Sequence, residues 1–282
     1  MKPAPFAYMR MESVSQAVAV LAEHGEDARI LAGGQSLIAM MNMRLAQPRV
    51  LIDISRMEGQ DAIEIDRDWL VVHAAATQSK LLAFPDLAGL VPLLTKALPH
   101  VGHFQTRNKG TVCGSLAHAD PSSELPLCMT VLDGRVQLVD MNRSGIERNR
   151  VISGGEFFTG LLQTVREPTE MLARVRFPLA KPGEGYAFNE MAIRHGDFAL
   201  VAVAVKATAD NIRIGIAGAA DKPHVRDWPA LDGSALDDAL NALAWELEFQ
   251  EDAHASAKTR RHLVRTLGRR TVIEALGNRT HV

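Results

Sequence analysis

Between Ser13 and His24 the apolar positions recur at helical spacing, with Val14, Ala17, Val18 and Leu21 on one face, which predicts an amphipathic helix. Ser13 and Gln16 stand in capping-box register at its start, and Gly25 supplies a stop. The short apolar run Arg29-Ile30-Leu31 predicts a strand ended by Gly33-Gly34, and Ser36 to Ala46 predicts a second helix. Val50 to Ile54 predicts another strand. Ile63, Ile65, Leu70 and Val72 alternate about Asp66-Arg67-Asp68, the pattern of a hairpin. A helical segment is expected from Leu90 to Val101, followed by a polar stretch, Gly102 to Pro126, that is long for a mere connection. Farther on, Val131 to Val139 suggests a hairpin and Met171 to Phe177 a strand closed by Pro178. Strands are expected at Phe198 to Thr208 and Ile212 to Ala217, then helices at Ala235 to Leu247 and Ala253 to Gly268.

Helix and strand alternate early and strands cluster later, an α+β pattern. With 282 residues, 47% of them hydrophobic, the chain can bury a sizeable core. Its formal net charge of -2, from 31 basic and 33 acidic residues, gives no global attraction to nucleic acid or an acidic membrane. The Met1 to Phe6 start has no apolar signal segment and no stretch is long and apolar enough to span a bilayer, so the cytoplasm is the expected location. Two cysteines, Cys113 and Cys128, cannot supply the four thiolates of an ordinary iron–sulfur cluster; any such cluster must sit on another chain.

Two segments carry candidate chemistry. In Leu31-Ala32-Gly33-Gly34-Gln35-Ser36-Leu37, a strand runs into two glycines and a hydroxyl at a helix start. Such glycines let backbone amides approach an anion, and the helix N-terminus favours phosphate or diphosphate charge. The segment is neither a dinucleotide-binding Gly-x-Gly-x-x-Gly nor a Walker A loop; the plain alternative is a tight turn with a Ser cap. The second segment, Arg107 to Pro126, combines small residues that can lie under a flat ligand with hydroxyls and acids that can bond a sugar-like chain. Its polar residues also suit simple capping and turning.

Together these segments resemble the FAD-binding subunits of the molybdenum hydroxylases, the group of xanthine dehydrogenase and carbon monoxide dehydrogenase. Ala32 to Leu37 meets the family's Ala-Gly-Gly-x-Ser-Leu. Thr111 to Pro121 meets Thr-Ile-Gly-Gly-Asn/Ser-x-Ala-His-Ala-Asp-Pro with Val112 and Cys113 substituted. Pro168 to Leu172 and Arg194 to Ala199 match two weaker family segments. The resemblance implies a two-part FAD-binding domain of the molybdopterin dehydrogenase (PCMH/VAO-like) type over residues 1–177, with subdomains of about 1–56 and 57–177, and a smaller α+β C-terminal domain over 178–282. It implies that Ala32, Gly33, Gly34, Gln35, Ser36 and Leu37 form the FAD diphosphate loop, that Thr111, Gly114 and Ser115 follow the diphosphate and ribityl chain, and that His118 belongs to the same signature. Glu124 would accept from a cofactor hydroxyl, Leu172 would pack near the flavin ring, and Glu190 would sit near the ring at a position where many relatives carry lysine. The implied partners are a large molybdopterin-binding subunit and a small subunit with two [2Fe–2S] clusters, in a dimer of heterotrimers, with an external electron acceptor.

Cys113 replaces a family glycine; it is a buried filler or, in the sharper reading, a reactive thiol. Glu190 replaces a cation that would stabilise an anionic reduced flavin, so a shifted potential or acceptor preference is expected. His100, His103 and His118 invite a metal reading, but Pro99 and Gly102 interrupt their helix and no metal ligand is assigned. Lys258, Arg260, Arg261, Arg265, Arg269 and Arg270 read as a solvated helical face or a partner-docking one. The rival functions are a stand-alone flavin oxidoreductase acting on a small organic substrate and an assembly protein without flavin.

Overall fold

The computed structural model describes residues 2–142, 144–249 and 251–279. Its first unit is a parallel three-stranded sheet of β1 (Ala7–Arg10), β2 (Ala28–Leu31) and β3 (Val50–Asp53), in the order β1-β3-β2. The helix Val14–His24 forms as its pattern predicts. The Ser13 hydroxyl accepts from Gln16 N at 3.2 Å, and the Gln16 side chain accepts in return from Glu12 N at 2.9 Å. Gly25, at φ +51°, takes the turn that ends it. Ala17, Val18 and Leu21 are buried against Ile52 on one side and Val139, Met171 and Ala173 on the other, so this helix joins the first sheet to the second.

The second sheet is antiparallel. It contains β4 (Ile63–Asp66), β5 (Trp69–His73), β6 (Arg135–Met141) and β7 (Glu147–Ser153). A two-stranded ribbon, β8 (Phe158–Gly160) with β9 (Gln163–Thr164), precedes the central strand β10 (Met171–Pro178), and the sheet order is β4-β5-β10-β6-β7. The hairpin about Arg67 is as expected, with Arg67 at φ +54°.

A third sheet is a meander of β11 (Gly185–Met191), β12 (Val201–Ala207), β13 (Asn211–Ala217) and β14 (His224–Pro229). Helices Gly233–Glu246 and Ala257–Gly277 cover one face, and helix Glu124–Val131 lies on the other. Strand β12 shows the period-two logic of a doubly covered strand. Val201, Val203 and Val205 enter the core with Leu240, Leu243 and Val264, whereas Ala202 and Ala204 face the core containing Leu125 and Leu127. That second face is lined by small residues. A Cβ on Gly215 would lie 2.3 Å from Val131 Cγ2, so glycine is what lets the helix come this close.

Several elements depart from the sequence pattern. The second helix is Leu37–Asn42 and stops short of Ala46, because the chain turns through Arg44 at φ +59°. Leu90 to Val101 is divided among helices Leu87–Leu90 and Pro92–Ala97 and a 3-10 turn, Leu98–His100. The expected loop Gly102 to Pro126 folds largely into helices Phe104–Arg107 and Val112–His118 and the start of Glu124–Val131. No hairpin spans Val131 to Val139, since Val131 ends a helix, Asp133 turns at φ +53°, and β6 pairs with β7. Every residue of Glu124–Val131 is buried, which removes the one-sided apolar period by which helices are recognised. The last helix starts at Ala257 behind a Ser256 cap and runs to Gly277.

The basic run on that helix is not simply solvated. Arg260 is buried and donates to Leu200 O at 2.6 Å, Gly218 O at 2.8 Å and Asp252 Oδ2 at 2.5 Å. Arg265 and Arg269 reach Asn241 and Asp237 on the neighbouring helix, and Arg261 lies over the Trp245 ring. Replacing Arg260 by Ala leaves two part-buried carbonyls and the Asp252 carboxylate without their donor and should lower the unfolding free energy by about 2–3 kcal/mol. Urea denaturation measures this, and an unchanged midpoint would show that the Arg260 bonds contribute nothing net.

Candidate functional site

A cleft of about 770 Å³ runs between the first sheet and the second, large enough for an extended cofactor. One wall is the loop after β2 with the start of the following helix; Ala32, Gly33, Gln35, Ser36 and Leu37 line it. The other wall is the helix Val112–His118, from which Gly114, Ser115, Ala117 and His118 contribute, flanked by Thr111 and, beyond it, Glu124. Met171 and Leu172 at the start of β10 close one side.

The two walls touch through backbone. A Cβ on Gly33 would lie 2.1 Å from Lys109 O and 2.8 Å from Gly110 Cα, so only glycine allows the contact. Gly34 takes φ +72°, in the left-handed region that glycine adopts freely. Among the described residues the N–H groups of Gln35, Ser36 and Leu37 meet no protein acceptor, whereas Ile38 N already reaches Gly34 O. These three residues line the cleft, and their N–H groups are left unbonded as in the first turn of a helix. On the opposite wall the Thr111 hydroxyl accepts from Gly114 N at 3.0 Å, and a Cβ at position 114 would meet that oxygen at 2.6 Å. Gln78 joins this wall by donating its N–H to Gly110 O at 2.9 Å, and its buried Oε1 has no partner.

Residues 4–180 match the family described as FAD binding domain in molybdopterin dehydrogenase. The chain belongs to that family. It is 36% identical to the nicotine 6-hydroxylase medium subunit of Paenarthrobacter nicotinovorans over 99% of this chain and all of that one. It is 33% identical to the carbon monoxide dehydrogenase medium chain of Afipia carboxidovorans, over 98% of each. Among solved structures, the reconstituted CO dehydrogenase of Oligotropha carboxidovorans superposes on 99% of this chain with a TM-score of 0.92 at 31% identity. Quinoline 2-oxidoreductase of Pseudomonas putida superposes on 98% with 0.88, also at 31%. The α+β, PCMH-like fold expected from the two signatures is therefore the fold of this chain.

The cleft fits the FAD of this family on its own chemistry: a backbone cradle that any side chain at 33 would fill, free N–H donors beside it, and the orphaned Gln78 amide oxygen. Of the residues singled out in sequence, Ala32, Gly33, Gln35, Ser36, Leu37, Thr111, Gly114, Ser115, His118, Glu124 and Leu172 all line this one cleft. Gly34 shapes the loop from behind.

Glu190 is not among the residues that line the cleft. It lies on β11, away from the cleft lining, with its side chain only 4% exposed and bonded to His100 Nδ1 at 3.1 Å. That hydrogen bond raises the His100 pKa and favours its imidazolium. His103 stacks near His195, with ring centroids 6.5 Å apart, while His118 faces the cleft; among the described residues no three metal-ligating side chains gather. Cys113 is helical and has no positive φ, which is why a side chain replaces glycine without strain. Its thiol is 3% exposed and donates to Val72 O at 3.6 Å, and burial drives its pKa far up, the state of an inert filler.

Several cleft residues escaped sequence reasoning. Gln78, Arg29 and Arg166 are distributed along the chain without a shared motif, and Phe198, 62% exposed at the cleft, stands in a matched segment where it carried no assigned role.

Glu124, the first residue of its helix, is 5% exposed, and burial pushes its pKa up to about 8, with the Glu190 charge adding to the effect. The folded protein holds a proton here that the unfolded chain releases. The stabilisation linked to it is full below the ordinary value of 4.5 and is lost as pH rises through about 8. Glu124→Gln should flatten that fall, so that the variant gains in melting temperature relative to wild type as pH is raised; parallel curves for the two proteins would refute a neutral buried acid. Gly33→Val should separate the walls and abolish flavin retention, read as absence of visible flavin absorbance in a folded protein. Full retention would remove the Gly33 contact from the site.

Proposed function

We propose that this chain is the FAD-carrying medium subunit of a molybdenum hydroxylase complex. A large molybdopterin-binding subunit and a small subunit with two [2Fe–2S] clusters complete it, in a dimer of heterotrimers. The observation that carries the reading is the joining of both family loops into one cleft by the Gly33–Lys109 backbone contact, in a chain that matches medium subunits from end to end. The domain division at 177/178, with units of about 1–56 and 57–177 before it, belongs to the same reading and is supported by the three separate sheets.

In this assignment the FAD supplies the redox chemistry, taking electrons that originate at the molybdenum site and passing them to an external acceptor. The chain binds and orients it. The N–H groups of Gln35, Ser36 and Leu37, with the bare backbone of Gly33, hold the diphosphate. Thr111 and Ser115 follow the ribityl chain, neutral Glu124 exchanges a hydrogen bond with a cofactor hydroxyl, and Leu172 supplies an apolar wall. Oxidation of the organic substrate is assigned to the large subunit, in keeping with relatives named for substrates as different as caffeine and carbon monoxide. No helix among the described residues is long and apolar enough to cross a membrane.

Purification after co-expression with neighbouring dehydrogenase subunits tests the assignment. A three-subunit complex that releases FAD on acid treatment is expected. A complex whose acid extract contains no flavin would sink the FAD assignment, and a flavin-loaded monomer that oxidises a substrate unaided would replace it with the stand-alone enzyme.

A further inference from the structure

Two guanidinium groups line the cleft, and among the described residues neither is ion-paired with a carboxylate. Arg29 comes from β2 in the first sheet, and Arg166 from the segment between β9 and β10 that leads into the second. Arg29 Nη1 donates to Glu26 O and Ala28 O, both at 2.8 Å. Arg166 Nη1 donates to Glu167 O and Glu170 O, both at 2.9 Å. These carbonyls fix both groups in place and leave their charge intact. The nearby Glu170 carboxylate is committed to Arg150, which holds it at 2.7 and 2.8 Å, and to Glu167 N. Glu26 also lines the cleft, but it gives Arg29 its main-chain oxygen; among the described residues no ion pair joins Arg29 or Arg166 to an acid. Burial lowers the Arg166 pKa and the charge of Arg29 lowers it further, against smaller opposing pulls from the Glu170 and Glu167 carboxylates. Two like charges held by carbonyls in a half-enclosed space are relieved when an anion enters between them.

Position identifies which part of a ligand they meet. Arg29 stands four residues before Gly33, two of them beyond the end of β2 at Leu31, so the two backbones lie at most roughly 13 Å apart. That is the scale of a nucleoside diphosphate, not of a lone phosphate seated at Gly33. We infer that Arg29 and Arg166 form a second grip that takes the nucleotide half of the cofactor and so selects FAD over flavins lacking that half. The inference rests on the FAD assignment above. Arginine suits the role because its planar fork can meet a phosphate or lie on a purine face and still keep its carbonyl anchors.

The test titrates the full chain with FAD, ADP and riboflavin, for wild type, Arg166→Gln, Arg166→Lys and Arg29→Gln. Each glutamine variant should weaken FAD and ADP by about tenfold or more and leave riboflavin binding unchanged, while Arg166→Lys keeps most of the affinity. Wild-type affinity for FAD should fall with salt more steeply than that of either glutamine variant. Unchanged FAD and ADP affinity in folded Arg166→Gln and Arg29→Gln, or an equal loss for riboflavin, overturns the grip and leaves the FAD assignment standing. Should a glutamine variant fail to fold, the salt dependence of wild type decides, and its absence overturns the grip. A wild-type chain that binds ADP but not FAD, or binds neither, overturns the FAD assignment and with it the grip as a selector of FAD.

Discussion

The close approach of Gly33 to the Lys109–Gly110 backbone is the contact on which the site depends. The first sheet and the second are separate hydrogen-bonded systems, and their loops meet where the missing side chain of one residue leaves room for a main-chain carbonyl. Everything that lines the cleft is placed relative to that seam. The N–H donors of Gln35 to Leu37 stand on one side, and Thr111, Gly114 and Ser115 on the other. The buried helix face of Ala17, Val18 and Leu21 holds the two sheets at the distance this contact needs. A site assembled from two modules in this way keeps its ligand groups on rigid elements even though each contributes only a short loop.

A second constraint sets the electrostatics. Helix Glu124–Val131 is buried on all sides because Gly215, Ala202 and Ala204 let it settle onto the third sheet. That depth carries Glu124 out of water, and in low dielectric the carboxyl keeps its proton. His100 and Glu190 form a paired unit behind the same wall. The acidic residue at position 190 therefore belongs to an internal pair with His100, and its charge is felt at Glu124 on the cleft wall.

Much of the architecture was readable from local pattern. The first helix, β2, β3, the Arg67 hairpin and β10 carry strong periodicity and clear punctuation. The polar stretch from Gly102 onward misled because its helices are short, start at hydroxyl caps such as Thr111 and are stabilised by burial more than by propensity. Strands β11 and β14 were missed, since their alternation is weak and their pairing partners lie on one side only. The basic helix was half understood: Arg265 and Arg269 do lie toward solvent, but Arg260 points inward to carbonyls of distant turns that no spacing rule reveals.

The sequence by itself determined the family and the two signature loops that line the cleft, because these signatures preserve backbone requirements, glycine at a close approach and a hydroxyl at a helix start, that leave their mark in residue type. Only the tertiary structure decided that Cys113 is a helical, inert filler, that Glu190 answers to His100, and that Arg29, Gln78 and Arg166 share the cleft. Those outcomes depend on which distant segments come together and on how deeply each group is removed from water, and both are properties of the folded chain, not of any stretch of it.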